Sequence, residues 1–200
     1  SLTLYFLMSL QFKKLHQNFG VEIINFNLSK DLNNNSYKEI LFAFNEYGIL
    51  LFRSQNMSIE NQVIFGRKFG KVLIHAVNQY HAEGHPEVYV LSNLDDKGNP
   101  SGKHPDQGSL YWHTDGSWRK NTGQATIMVA DIIPSKGGET QFCCMENAYA
   151  SLDNYMKQKS SELSAVHNLD FSRNRRHGHD PLTKEQKNKV PPVTHPIVRS

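Results

Sequence analysis

The sequence predicts a mainly β fold with flanking helices, a sandwich or barrel of short strands decorated by helices. Three observations carry that expectation. Short β-branched and aromatic runs alternate with Gly- and Pro-rich turn signals over the later two-thirds of the chain. Segments in the first third instead repeat apolar residues at helical spacing. A length of 200 residues, with 11 Phe, 8 Tyr and 2 Trp, suits one domain with a sizeable core.

The elements follow in order. The first ten residues are apolar, with no basic residue ahead of the run and no small-residue cleavage site behind it. That run is too short to span a bilayer and makes a poor signal peptide. Met8 sits inside it, so residues 1–7 are expected to be non-native or an upstream leader, and 8–200 the domain proper. A helix is expected over 36–47: Ser36 and Glu39 have capping-box spacing, Tyr37, Ile40, Leu41 and Phe44 share a face, and Gly48 stops it. Residues 49–52 read as a buried strand. A second helix is expected over 58–69, with Ile59, Val63 and Phe69 inward and Gly70 as terminator. The first third is thus expected to run β-α-β-α.

Beyond Gly70 the texture changes. Residues 88–91 read as a strand, 95–109 as a turn-rich loop and 110–113 as extended. The run 125–133 reads as a strand rather than a helix, since it holds isoleucines with Thr126 and Val129 and ends at Pro134. A turn over 134–138 leads to a strand starting at 139, a helix over 146–159 and an extended stretch over 163–171.

Composition excludes several classes. Charged residues at 20% are too few for disorder, and a net charge of +3 without a basic stripe argues against nucleic acid as a partner. Arg173, Arg175 and Arg176 with His177 and His179 form the nearest basic cluster, expected to be a solvated loop. Cys143 and Cys144 are adjacent, and neighbours on a strand point to opposite faces, so a bridge between them would be strained. Two free thiols suit a reducing cytoplasm, and one of them is expected to be a buried small hydrophobe.

The chemistry-bearing pattern is His-x-Asp. On an extended segment such residues project from one face, so an imidazole nitrogen and a carboxylate oxygen can share one metal ion. Two His and one carboxylate on one side of the metal, with other positions open, is the arrangement of non-haem iron(II) oxygenases. The spacing is short enough to arise by chance in a chain with 10 His, and it occurs twice. His104/Asp106 lies in the Gly/Pro-rich loop. His113/Asp115 follows Leu110-Tyr111-Trp112 and precedes Gly116, which suggests a strand end with space beside it. The alternative for that pair is a surface His near a turn Asp.

The segment Trp112-His113-Thr114-Asp115-Gly116-Ser117-Trp118 resembles the iron-binding segment of the taurine dioxygenase (TauD/TfdA) family. Further resemblances fall in family order. They are Gly48 to Arg53, Phe65 to Gly70, His85-Pro86-Glu87-Val88 with Leu91-Ser92-Asn93, and Pro134 with Gly137-Gly138-Glu139-Thr140. Ala148 to Leu152, Val166-His167 and Pro191 to Arg199 complete the series, from about residue 18 to 199.

The resemblance implies a double-stranded β-helix, a jelly-roll of the clavaminate synthase-like type, incomplete at the C-terminus. It implies an Fe(II)- and 2-oxoglutarate-dependent dioxygenase that hydroxylates a small, anionic, taurine- or sulfonate-like substrate with release of succinate and CO2. His113 and Asp115 would ligate iron, and Thr140 would bind a carboxylate of 2-oxoglutarate. His75, Asn93 and Ser109 would contact substrate, although the spacing around His75 is shifted by one residue. The family's distal His and its 2-oxoglutarate-binding Arg would lie beyond Ser200. His167, His177, His179 and His195 are not expected to replace that His. Homo-oligomers are common among such proteins. Two other readings stay open on the residues. One is a cupin-like binding protein without catalysis. The other is a zinc hydrolase, which no His-Glu-x-x-His pattern supports.

Overall fold

A computed structural model describes residues 9–75, 80–101, 107–177 and 181–199. The expected leader 1–7, Met8, His104, Asp106 and His179 lie outside the described residues. The chain divides into two compact units, the first formed by residues up to 61 with 129–154, the second by 62–128 with 155–200.

The first unit begins with β1 (Gln11–Lys14) and β2 (Val21–Ile24), an antiparallel pair in which Phe12 faces Ile23. Helix α1 (Asn34–Tyr47) then returns the chain to β3 (Leu50–Leu51), which pairs parallel with β2, Val21 opposite Leu50. The order is therefore β-β-α-β before the next helix, one strand more than expected.

The α1 cap differs from expectation. Asn33, not Ser36, is the cap: its side chain accepts from the N–H groups of Asn35 and Ser36, while the Ser36 hydroxyl accepts from the Asn33 N–H. Gly48 ends the helix in the left-handed region, at φ 69°, and its N–H reaches the Phe44 carbonyl. A side chain there would strain the backbone.

Val21 and Ile23 alternate inward from β2, and Ile40 and Ala43 face inward from α1; Phe26 and Leu28 complete a core. Gln55 holds the loops beside it, accepting from the Leu28 N–H and donating to the Phe26 carbonyl, both at 2.9 Å. Arg53 pairs with Glu22 on β2 at 3.1 Å.

Later in the chain the expected strands over 125–133 and from 139 do not form; these residues carry no regular secondary structure. A strand needs a hydrogen-bonded neighbour, and among the described residues no ladder forms along them. Ile132, Ile133 and Phe142 are exposed there. The expected helix over 146–159 is two helices, α3 (Met145–Ala150) and α4 (Asn154–Ser161), parted at Ser151–Asp153. Neither cysteine is a buried hydrophobe: both are free, Cys143 exposed and Cys144 half-buried.

The second unit takes most of α2 (Ile59–Lys68), whose Val63 and Phe65 are buried. A hairpin of β4 (His81–Ala82) and β5 (His85–Tyr89) follows, so the expected strand at 88–91 starts and ends earlier. A 3-10 turn occupies Gln107–Leu110. Past α4, β6 (Ser164–His167) pairs antiparallel with β7 (Val193–Pro196), with Ala165 opposite His195. Between them lie α5 (Leu169–His177) and α6 (Lys184–Lys189). The Arg173 cluster was expected to be a loop, and the extended stretch was expected to continue to 171; α5 replaces both. The turn into α6 is fixed by Asp170, which accepts from the Leu182 N–H and pairs with Lys187.

Candidate metal centre

His113 and Asp115 sit between the 3-10 turn and a turn that begins at Asp115, not on the end of a strand. Hydrogen bonds fix them instead of a ladder. His113 Nδ1 lies 2.6 Å from the Tyr111 carbonyl oxygen. A carbonyl only accepts, so Nδ1 carries the hydrogen and Nε2 is the ring nitrogen that can offer a lone pair to a metal. That Nε2 lies 3.3 Å from Asp115 Oδ1. The other carboxylate oxygen, Oδ2, accepts from the Thr126 hydroxyl at 2.8 Å.

Two potential ligand atoms thus face each other with their rear atoms occupied. A metal ion beside them would satisfy both. Donors at about 2.1 Å from one ion and at right angles to each other stand about 3 Å apart, close to the observed separation. The pair therefore fits two positions of a metal site. Both side chains are half-exposed, at 48% and 60%, which leaves open positions accessible. Among the described residues no cluster of three His, Cys, Asp or Glu side chains forms that could hold a metal.

The chain leaving Asp115 is pinned. Gly116 adopts φ 65°, and its carbonyl accepts from the Arg119 N–H, closing the turn. From β7, buried His195 donates through Nε2 to the Arg119 carbonyl at 2.8 Å, and Arg199 donates to the Thr122 hydroxyl at 3.1 Å. The Arg119 guanidinium reaches back to the Ile74 carbonyl and lies 4.5 Å over the Trp118 ring. Burial lowers its pKa from the ordinary arginine value. His195 is thus an anchor of the turn, a role its sequence position did not announce.

Of the expected substrate contacts, His75 packs edge-on against Trp118, with ring centroids 5.7 Å apart, and against Tyr89 at 5.0 Å. It therefore neighbours the turn that follows the metal pair. Asn93 lies in the loop after β5, its carbonyl accepting from the Ser101 N–H. Ser109 lies in the 3-10 turn. Thr140 is exposed and follows Gly137 and Gly138, which adopt φ 81° and 79°, in the first unit. Thr126 was missed by sequence reasoning. It follows Asp115 by eleven positions, and no local spacing rule links a hydroxyl at that distance to a carboxylate.

Residues 11–200 match the model of the family described as taurine catabolism dioxygenase TauD, TfdA family. The chain belongs to the TauD/TfdA family. It is 28% identical over 203 residues to an alpha-ketoglutarate-dependent 2,4-dichlorophenoxyacetate dioxygenase of Cupriavidus pinatubonensis, covering 96% of this chain and 70% of that one. An alkylsulfatase of Acinetobacter baylyi is 29% identical over 163 residues, 81% of this chain and 48% of its own length.

Among solved TauD/TfdA structures, a taurine dioxygenase from Burkholderia xenovorans superposes with a TM-score of 0.68 at 27% identity, over 96% of this chain and 59% of that one. AAD-2, solved with Mn(II) and N-oxalylglycine, gives 0.68 at 24%, over 94% and 63%. The fold is therefore the double-stranded β-helix with flanking helices. The chain spans between about half and 70% of the length of these relatives.

Proposed function

We propose that the protein is an Fe(II)- and 2-oxoglutarate-dependent dioxygenase that hydroxylates a small anionic organic substrate and releases succinate and CO2. One observation carries this reading: His113 Nε2 and Asp115 Oδ1 converge at 3.3 Å, in a segment that resembles the family's iron-binding one. Relatives named for 2,4-dichlorophenoxyacetate and alkyl sulfates support an anionic substrate, and N-oxalylglycine in AAD-2 has the two carboxylates and central carbonyl of 2-oxoglutarate.

His113 and Asp115 hold the iron. Bound iron(II) supplies the redox chemistry by which dioxygen oxidises 2-oxoglutarate and substrate together. The chain's residues bind and orient. The Tyr111 carbonyl keeps the His113 ring in the tautomer that ligates. Thr140 donates its hydroxyl to a 2-oxoglutarate carboxylate. His75, with Trp118 behind it, contacts substrate, as do Asn93 and Ser109. No residue is assigned to nucleic acid or membrane binding.

The test is succinate formation by the full-length protein, with iron(II), 2-oxoglutarate and a panel of sulfonates, alkyl sulfates and aryloxyacetates. Partners of metal ligands alone are worth about 10- to 100-fold, so His113→Ala should lower turnover by at least about 100-fold. Chelation should do the same reversibly. Unchanged iron-dependent turnover in His113→Ala would sink the assignment.

A further inference from the structure

We propose that Thr126 is a positioning residue of the metal centre, one that commits Asp115 to bind through Oδ1 alone. This inference rests on His113 and Asp115 being metal ligands. The observation behind it is the 2.8 Å hydrogen bond from the Thr126 hydroxyl to Asp115 Oδ2, on the carboxylate oxygen that does not face His113.

The bond has two consequences. A carboxylate rotates freely about its last torsion unless held. With Oδ2 engaged, that rotation is stopped, and Oδ1 stays directed at His113 Nε2. A carboxylate can also bind a metal through both oxygens. The Thr126 hydroxyl competes for Oδ2 and so keeps a coordination position free, which a centre that must also take a co-substrate and dioxygen requires.

Thr126 is itself held. The carbonyl of the next residue, Ile127, accepts from Gln62 on α2 at 3.2 Å. The Ile127 side chain lies close to Gly66 on the same helix: a Cβ built at Gly66 would stand 3.7 Å from Ile127 Cδ1. Helix α2 thereby fixes the backbone that presents the hydroxyl. Thr126 and Tyr111 do complementary work, since the Tyr111 carbonyl orients the imidazole as Thr126 orients the carboxylate. Partners of ligands in this position tune the metal as well as hold the ligand.

The experiment is Mn(II) binding to the full-length protein, followed by the loss of the free-ion electron paramagnetic resonance signal. Thr126→Val removes the hydroxyl at an exposed position and keeps the branched shape. It should weaken Mn(II) binding about 10- to 100-fold, with Thr126→Ser restoring most of the affinity. The bound-ion line shape should also change in Thr126→Val as the second carboxylate oxygen is released, and a residue that served only the fold would leave it unchanged. Equal unfolding midpoints establish that both variants are folded. Wild-type affinity and line shape in Thr126→Val, with binding lost in His113→Ala, would overturn the role of Thr126 alone. Wild-type binding in His113→Ala would remove the metal pair itself, and this proposal with it.

Discussion

At the scale of single residues, local side-chain bonds set both the helix start and the metal pair. Asn33 satisfies two N–H groups at the start of α1. Asn33→Ala should therefore cost about 1 kcal/mol in urea unfolding, whereas Asn34→Ala, already inside the helix, should cost less. The sequence announced a helix here but not its cap, because Asn33, Asn34, Asn35 and Ser36 are all chemically able to cap. The choice among them depends on where the chain turns from Asp31, whose carbonyl accepts from the Ser36 hydroxyl. His113 and Asp115 were legible because their partnership is local, two positions apart. Thr126 and His195 were not. Their partners are brought close only by tertiary packing, and His195 acts on a backbone carbonyl 76 positions away.

At the scale of elements, the helices were more legible than the strands, since a helix closes its own hydrogen bonds and a strand must borrow a neighbour. The run 125–133 has strand composition and no ladder. By contrast, β6 and β7 find each other across two helices, and that pair carries a titratable contact. His167 on β6 packs against His195 on β7, with ring centroids 5.3 Å apart. Burial, then electrostatic repulsion from the neighbouring His195 and Arg199, lower the His167 pKa from its ordinary value. The folded chain resists a proton there that the unfolded chain accepts. The β6–β7 pair should thus be fully stable above the ordinary histidine pKa, about 6.5, and lose stability as pH falls below it. Urea midpoints at several pH values should show that slope, and His167→Gln should flatten it. An equal slope in the variant would assign it to another group.

For the molecule as a whole, the deepest core belongs to the first unit, where Val21 and Ile40 are fully buried. The later part of that unit contrasts with it, for Ile132 is 76% exposed and Ile133 75%. The stretch 125–133 holds one charged residue, Asp131, and no proline. A short apolar segment of high β-propensity and low charge, left without a ladder, is a template for pairing with another chain. Asp131 then acts as a gatekeeper of solubility. Asp131→Ala should leave the metal affinity of the centre near that of the wild type and lower the concentration at which the protein begins to aggregate, read by light scattering. A charge that touches neither core nor ligand would decide how concentrated a solution of this protein can become.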